Sequence, residues 1–300
     1  MSGSLLEIRK KIGGVRNTRK ITKAMQLVAA SKMRQFQKRA VTTRHYVWDL
    51  LALLEHNLTD RGLYSEVRSK GKTLFVVYSS DKGLCGPLNN KILQATFRSS
   101  AWNSLGEDER LLITLGKKSN DFAKNNRIPV HKHYTGISEK LSTLDVVKVV
   151  DGILELWNSK EVKNVIFIAP HYKNSFTFYP VLKTFLPFSQ ETIDSTLGPL
   201  EAHERPASFA KMDEEMTYEP SKPRVIKRLH EQLIHSLFMQ AFLELKASEY
   251  SSRMIAMQNA TDSADRMITD LTKDYNKARQ QAITSEIAEL IGASDAIASS

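Results

Sequence analysis

The sequence is nearly free of cysteine and has no long hydrophobic run. Its 300 residues contain one cysteine, Cys85, which excludes an internal disulfide and a cysteine-based zinc site and fits a reducing cytosol. Apolar stretches such as residues 50–54 and 164–169 are far shorter than the roughly 18 residues that cross a bilayer. The amino terminus lacks the apolar stretch of a secretory signal, so we expect no removable targeting peptide. A hydrophobic content of 41% suits a soluble chain of one or two domains with a real core.

Glycine and proline are missing from two long segments. Neither occurs in residues 15–61 or 224–291, and all nine prolines lie between Pro87 and Pro223. Proline disrupts a helix interior by roughly 3 kcal/mol and glycine by about 1 kcal/mol, so these gaps predict uninterrupted helices. The gaps span 47 and 68 residues, whereas helices of globular domains average about 11–12. Neither segment is therefore an ordinary domain helix.

The second gap carries a heptad stripe, which predicts a left-handed coiled coil. Its members are Tyr250, Met254, Met257, Thr261, Ala264, Ile268, Leu271, Tyr275, Ala278 and Ala282. The first gap shows the same spacing in pieces, with interruptions near Thr18–Arg19 and Thr43–Arg44. Because the two segments lie at opposite ends of the chain, we predict that they pair as an antiparallel coiled coil. On the pattern alone, a parallel coiled coil between two chains is the alternative.

The central region predicts an α/β domain. Its short buried stretches, read as strands, are residues 73–79, 111–115, 128–134, 165–169 and 175–182, of which the last two are close enough to form a hairpin. The amphipathic stretches between them, read as helices, are residues 87–98, 117–125 and 144–158. This alternation is typical of an open α/β sheet. The predicted organisation is an amino-terminal helix (1–60), an α/β domain (70–190), a loop (191–221) and a carboxy-terminal helix (222–298).

Positive charge is concentrated at the amino terminus. Of the formal net charge of +10, residues 1–60 contribute 12 Lys and Arg against 4 Asp and Glu. Such a segment suits nucleic acid, an anionic membrane or an acidic protein surface, and a solvated helix face is equally compatible with it.

The sequence offers little chemistry of its own. The stretch SSDKGLCG (79–86) follows a strand and precedes a helix, where backbone N–H groups can hold a phosphate, but it matches neither common phosphate-loop pattern. A tight turn explains its Gly83 and Gly86 without a ligand. Two histidine pairs, His131 with His133 and His230 with His235, have no third ligand at metal-binding spacing. We therefore predict no catalytic, cofactor-binding or metal-binding residues.

Four ordered segments resemble the γ subunit family of F-type ATP synthases. They are ITKAMQLVAASKMR (21–34), SSDKGLCG (79–86), SRMIAMQNATDSA (252–264) and YNKARQQAITSEIAELI (275–291). Together they span the chain. The resemblance implies an antiparallel coiled coil of the terminal helices with an inserted Rossmann-like α/β domain. It also implies a rotor shaft that couples transmembrane proton flow to ATP synthesis or hydrolysis at a ring of three α and three β subunits.

The resemblance also implies contact residues. Arg279 and Gln280 match a pair that hydrogen-bonds a loop of one β subunit, and Thr284 lies beside them. An arginine fork facing a carboxylate is strong yet breakable, which suits a small-residued, polar shaft tip. The positions that match further β contacts are Lys23, Met25 and Arg253, and those at the foot of the shaft, facing the c subunits, are Tyr218 and Glu219.

The implied partners are the α, β and ε subunits and the c-subunit ring, with indirect membrane association and no nucleic acid. We expect a peripheral position on the cytoplasmic side of a bacterial plasma membrane. The family's cysteine-bearing chloroplast insertion is absent. The family usually has three residues between the acidic position that matches Glu289 and a GA pair, whereas here the GA pair at 292–293 follows after two. The alternative function is a homodimeric coiled-coil scaffold or a nucleic-acid-binding protein that uses the basic helix.

Overall fold

The computed structural model describes residues 2–55, 63–137, 142–174, 177–189 and 217–298. The chain divides into two compact units. The first combines residues 1–30 with residues 253–300, and the second spans residues 31–252. Among the described residues, no helix has both the length and the apolar character that a membrane span requires.

Two long helices confirm the prediction from glycine and proline placement. Helix α1 spans Ser2–Glu55 and the last helix, α6, spans Lys222–Ala298. Helix α1 starts before the predicted gap and includes Gly13 and Gly14. A cost of about 1 kcal/mol per glycine is too small to end a helix of 54 residues. Helix α6 has Pro223 in its first turn, where the missing N–H costs no hydrogen bond.

The middle of the chain forms the predicted α/β domain. Its strands are β1 (Lys72–Tyr78), β2 (Arg110–Leu115), β3 (Lys132–Tyr134), β4 (Val162–Asn174) and β5 (Thr177–Leu186). Its helices are α2 (Leu88–Phe97), α3 (Ser100–Asn103), α4 (Lys117–Asn125) and α5 (Thr143–Asn158). The sheet order is β3-β2-β1-β4-β5, with β1 parallel to β2 and β4.

The predicted hairpin of the last two strands is confirmed, because β4 pairs antiparallel with β5. The predicted strand 175–182 starts on residues 175–176, which lie outside the described residues. The predicted strand 128–134 was too long, since only Lys132–Tyr134 pairs with β2. Before it, Ile128 donates its N–H to the Ala123 carbonyl at the end of α4, so these residues close a helix instead of extending the sheet.

Each face of the sheet has its own core. On one face, Phe75 meets Trp102 edge-on at 4.9 Å within a buried cluster that includes α2 and Leu112. On the other face, Phe238 and Phe242 of α6 pack against aromatic side chains of the strands, with Phe238 lying 5.3 Å from Phe167. Helix α6 is therefore an integral part of the second unit's core.

In the first unit, α1 and α6 pair antiparallel along the predicted seam. Met257, Thr261 and Ala264 are buried, and the remaining seam residues towards the end of α6 are half-buried. Arg19 pairs with Asp265 and Thr22 contacts Thr261, so numbering rises on one helix as it falls on the other. Within the second unit the two helices are also antiparallel, because Phe36 stacks on Tyr250 while Arg44 lies near Glu244.

The two predicted interruptions of the α1 stripe are both polar. The side chain of Thr18 donates to its own helix at the Gly14 carbonyl, and Arg19 is half-exposed. At the second interruption Arg44 is half-buried and lies 3.5 Å from Glu244 of α6. The apolar stripe of α1 is therefore interrupted at positions where charged side chains form contacts between the two helices.

Candidate functional site

The predicted contact residues at the end of α6 lie on its exposed surface. Arg279, Gln280 and Thr284 are all exposed, whereas Ala278 and Ala282 are half-buried on the seam side. The Thr284 hydroxyl donates to the Gln280 carbonyl at 2.9 Å, so it is tied to its own helix. Adjacent residues of a helix point about 100° apart, so the Arg279 and Gln280 side chains reach out over a wide arc.

The same end of α6 also exposes an apolar stripe that the sequence analysis missed. Its members are Ile283, Ile287, Leu290 and Ile291, and Leu290 is 71% exposed. Their spacing of i, i+4, i+7 and i+8 places them on one helix face. The description of the tip as polar and small-residued was therefore incomplete. The spacing itself was the available signal, but the neighbouring heptad stripe had already explained the helical pattern.

The remaining predicted β contacts, Lys23 and Met25 on α1 and Arg253 on α6, differ in their exposure. Lys23 is exposed and its Nζ donates to Gln26 Oε1 at 3.2 Å, while Met25 is half-buried. Arg253, by contrast, is only 8% exposed. Lys23 and Met25 thus share an accessible stretch of α1, whereas Arg253 offers little surface to a partner.

The predicted foot residues precede the first turn of α6. Glu219 is exposed, and the Lys222 ammonium lies 5.7 Å from the centre of the half-buried Tyr218 ring. A cleft of about 640 Å³ adjoins them, lined by Tyr46 of α1 and by Arg224 among other residues of α6. This surface carries charged groups of both signs.

The loop at residues 79–86 is filled by the protein's own hydrogen bonds. The first three N–H groups of α4 donate to loop oxygens: Lys117 to Asp81 Oδ1 at 2.9 Å, Lys118 to the Ser80 carbonyl at 3.3 Å, and Ser119 to Ser79 Oγ at 2.7 Å. These donors belong to α4, whereas the helix that the loop precedes is α2. There the Leu88 N–H donates to the Cys85 carbonyl at 3.4 Å, and within the loop the Ser80 hydroxyl donates to the Lys82 carbonyl at 2.7 Å. The hydrogen bonds support the interpretation of the loop as a turn.

The glycines of this loop differ in their need to be glycine. Gly86 has a φ of 56°, and Leu84 also adopts a positive φ, of 61°. The prediction singled out Gly83 as well, but a Cβ there would meet nothing within 4 Å. The glycine that the loop's neighbourhood requires is Gly116 (φ 93°), which follows the neighbouring strand β2. A Cβ at this position would come within 2.0 Å of the Ser79 carbonyl oxygen. A side chain at residue 116 would therefore force the β2–α4 turn away from β1.

Helix α6 packs against the carboxyl end of β1. The Ser252 hydroxyl donates to the Cys85 carbonyl at 2.6 Å, and the Tyr78 hydroxyl donates to Glu249 Oε2 at 2.7 Å. Lys246 Nζ lies 3.0 Å from the same carboxylate oxygen. Doubly wound sheets usually bind ligands at the carboxyl ends of their strands, where the strand order reverses. Here the chain places its own helix beside that end of β1.

Two buried groups of the second unit have shifted pKa values. Burial lowers the pKa of Lys183 on β5, and the nearby Glu244 carboxylate partly opposes the shift. Burial raises the pKa of Tyr64, and the negative charge of Glu231 adds to that effect. Both groups face the carboxylates of α6, so their protonation is linked to how this helix packs.

Each of the two predicted histidine pairs has a member with an ordinary hydrogen-bond partner. His133 Nδ1 lies 2.9 Å from Thr114 Oγ1, and His235 Nε2 lies 3.0 Å from Asp151 Oδ1. Across the part of the chain that the structure describes, no three His, Cys, Asp or Glu side chains form a group that could hold a metal ion. The geometry therefore points to surfaces for partner proteins and offers no assembled catalytic centre among the described residues.

The chain is similar to known proteins over nearly its whole length. The family model described as ATP synthase matches residues 4–297. The ATP synthase gamma chain of Geotalea uraniireducens (strain Rf4) is 34% identical over 298 residues, covering 98% of this chain and 99% of the relative. The ATP synthase gamma chain of Limosilactobacillus reuteri (strain DSM 20016) is 30% identical over 308 residues, covering 97% and 98%.

Among solved structures, a chain of the Euglena gracilis mitochondrial ATP synthase, from the OSCP/F1/c-ring part in rotational state 3, superposes with a TM-score of 0.66. The alignment covers 99% of this chain and 95% of that chain. At 15% sequence identity, the likeness supports the fold alone.

Proposed function

Because this chain belongs to the ATP synthase gamma chain family, we propose that it is the central shaft of a rotary ATP synthase, coupling proton flow across a membrane to ATP synthesis and hydrolysis. The family match over residues 4–297 carries this proposal. The antiparallel pairing of α1 and α6, with an α/β domain formed by the chain between them, supports it. The shaft supplies no catalytic group, and ATP chemistry takes place on the surrounding α and β subunits.

The coupling follows from the asymmetry of the helix pair. Arg279 and Gln280 project from α6 alone, and Lys23 projects from α1 alone, so a surrounding ring of three α and three β subunits meets different groups at each angle. A ligand shifts a conformational equilibrium only by its differential affinity for the states. Each angle of the shaft therefore favours a different conformation in each β subunit.

The individual contacts follow from charge and exposure. We assign Arg279 and Gln280 to hydrogen bonds with a loop of one β subunit, with Thr284 beside them. Lys23 and Met25 face an acidic segment of β. The predicted β contact of Arg253 is the weakest of the set, because so little of its side chain is exposed.

The foot of the shaft provides the remaining contacts. Tyr218 and the exposed Glu219 face the c-subunit ring, and the ε subunit binds alongside the α/β domain. Association with the membrane is then indirect, through the c ring. The bacterial origin of the two relatives described above supports a position on the cytoplasmic side of a bacterial plasma membrane.

Neither alternative function is supported. In a parallel homodimer the seam residues would be buried against a second chain, but Met257 and Thr261 are already buried in the pairing of α6 with α1. The proposed β contact of Lys23 and Met25 gives the basic helix a protein partner, so its charge needs no nucleic acid to explain it.

Reconstitution with α and β subunits tests the proposal. Native mass spectrometry should find one copy of this chain per α3β3 hexamer, and the complex with a c ring and the remaining subunits should pump protons in vesicles when ATP is added. A chain that forms a stable homodimer and ignores α and β would contradict the proposal.

A further inference from the structure

A buried polar pair links the two helices in the seam of the first unit. Thr22 of α1 and Thr261 of α6 are 9% and 4% exposed, and their Oγ1 atoms lie 2.8 Å apart. Each hydroxyl also lies within hydrogen-bond distance of its own helix backbone, Thr22 at the Arg19 carbonyl (3.0 Å) and Thr261 at the Met257 carbonyl (2.8 Å). One hydroxyl can thus donate across the seam while the other donates to a carbonyl.

Heptad spacing by itself does not distinguish registers that differ by seven residues. A slip of seven residues returns every heptad position to an equivalent position, so apolar residues again face apolar residues. The threonines break this equivalence. After such a slip Thr22 would face Ile268 or Met254, and Thr261 would face Ala29 or Val15. The hydrogen bond between the helices would be lost.

An ion pair one turn away discriminates between the same registers. Arg19 contacts Asp265, with 44% and 48% of the two side chains exposed. The same slip would place Arg19 opposite Thr272 or Gln258, neither of which carries a charge. Both polar links lie next to the interruption of the apolar stripe at Thr18–Arg19. Where the apolar stripe is interrupted, these polar contacts therefore distinguish the observed register from the slipped ones.

We propose that Thr22 and Thr261 are positioning residues that set the register of α1 against α6. Buried polar groups at single seam positions are known to specify register in coiled coils. The inference builds on the proposed function, because register determines where Arg279 and Gln280 stand along the shaft relative to Lys23. A slip of seven residues would move them by about 10 Å, which is far beyond the reach of a hydrogen bond.

The test compares two double variants. Thr22→Val with Thr261→Val removes both hydroxyls at nearly constant volume, whereas Thr22→Ser with Thr261→Ser keeps them. Spin labels on Lys11→Cys and Lys273→Cys, both exposed positions of the first unit, report the register by pulsed electron paramagnetic resonance. The parent and the serine variant should show one distance. Because the two labels lie opposite each other, the valine variant should show a second, longer distance, produced by a displacement of about 10 Å along the shaft.

Coupling is measured on the same assembled complexes. Protons pumped per ATP hydrolysed should fall at least about twofold in the valine variant and stay near the parent value in the serine variant, while the melting temperature does not fall. A valine variant with the parent's single distance overturns the proposal, whether or not its coupling changes. If the double variant does not fold, Thr261→Val alone is measured by the same criteria. A parent chain that shows one distance but no coupling would contradict the proposed function and leave the register result standing.

Discussion

The Tyr78 hydroxyl of β1 donates a hydrogen bond to Glu249 Oε2 of α6 at 2.7 Å, and both side chains are buried. Lys246 Nζ lies 3.0 Å from the same oxygen and 5.4 Å from the centre of the Tyr78 ring. The three groups form a compact charged cluster that fixes α6 against the sheet. Burying a charge is costly unless it is paired and hydrogen-bonded, so each member of the cluster depends on the others.

We therefore expect Tyr78→Phe to lower the free energy of unfolding by about 1.5–3 kcal/mol, because a hydrogen bond to a buried charged group is lost. Urea unfolding followed by tryptophan fluorescence measures the change. Tyr179→Phe, which removes a hydroxyl from a half-exposed ring, should alter the free energy by less than about 0.5 kcal/mol. Equal effects of the two substitutions would contradict a specific role for the buried pair.

The double variant Arg279→Ala, Gln280→Ala should reduce turnover of the assembled complex at least tenfold, a barrier change of about 1.4 kcal/mol. The charge-assisted contact with β is lost at one rotary angle, whereas alanine maintains the helix. Turnover per assembled hexamer and circular dichroism are the measurements. Lys277→Ala, an exposed change two residues earlier, is the matched control. Turnover within twofold of the parent, with full assembly, would refute the assignment, as would a double variant that fails to fold.

Charge reversal at Lys23 should weaken coupling more than assembly, since one attractive charge pair becomes repulsive. We expect Lys23→Glu to lower protons pumped per ATP in vesicles while the hexamer still forms. Lys20→Glu carries the same charge change at an exposed position less than one turn away and should have a smaller effect. If the two variants pump equally, the contact is not specific to Lys23.

The stability of the second unit should rise with pH in a window set by Lys183. Its pKa in the folded state lies below its ordinary value of 10.5, because burial disfavours the cation. Between the lowered pKa and 10.5 the unfolded chain binds more protons than the folded one, so raising the pH favours folding. Lys183→Met removes the titrating group and should abolish this part of the pH dependence. The measurement is the free energy of unfolding in urea at several pH values up to about 10.5. If its slope against pH is the same in Lys183→Met as in the parent, Lys183 is not the group responsible.

The loop at residues 79–86 should bind no nucleotide, because it is held as a turn by hydrogen bonds of its own, from the Ser80 hydroxyl to the Lys82 carbonyl and from the Leu88 N–H to the Cys85 carbonyl. Titration calorimetry of the purified chain with ATP or NAD up to millimolar concentration should show no saturation. A single saturable site that disappears in Lys82→Ala would show that the loop is a ligand site after all.

The long helices and their seam were predictable because their signals are local. Helix breakers act on their own turn, and a heptad stripe records which side of a helix is buried. Every residue of the stripe from Tyr250 to Ala282 is buried or half-buried in the structure. The strand prediction for residues 128–134 failed at its start because the Ala123 carbonyl captures the Ile128 N–H, a competition that apolar composition does not reveal.

What the sequence could not supply were relationships between distant residues. Nothing in the pattern around Glu249 indicates Tyr78 as its partner, since the two lie 171 residues apart. The burial of Arg253 was missed for the same reason, because an arginine in a helix is ordinarily read as surface. The exposure of Arg279 and Gln280 was easier to predict, because neither residue belongs to the heptad stripe that forms the seam.

The packing of α6 on the sheet determines the order in which the second unit can fold. Strands β1, β4 and β5 leave the ribosome well before Phe238 and Phe242, which cover Tyr78, Phe167 and Phe185. At about 5–20 residues per second, the wait from β5 to Phe242 is about 3 to 11 seconds. During synthesis this face of the sheet therefore stays uncovered for seconds, and a nascent chain arrested before α6 presents its aromatic side chains to chaperones and to other nascent chains.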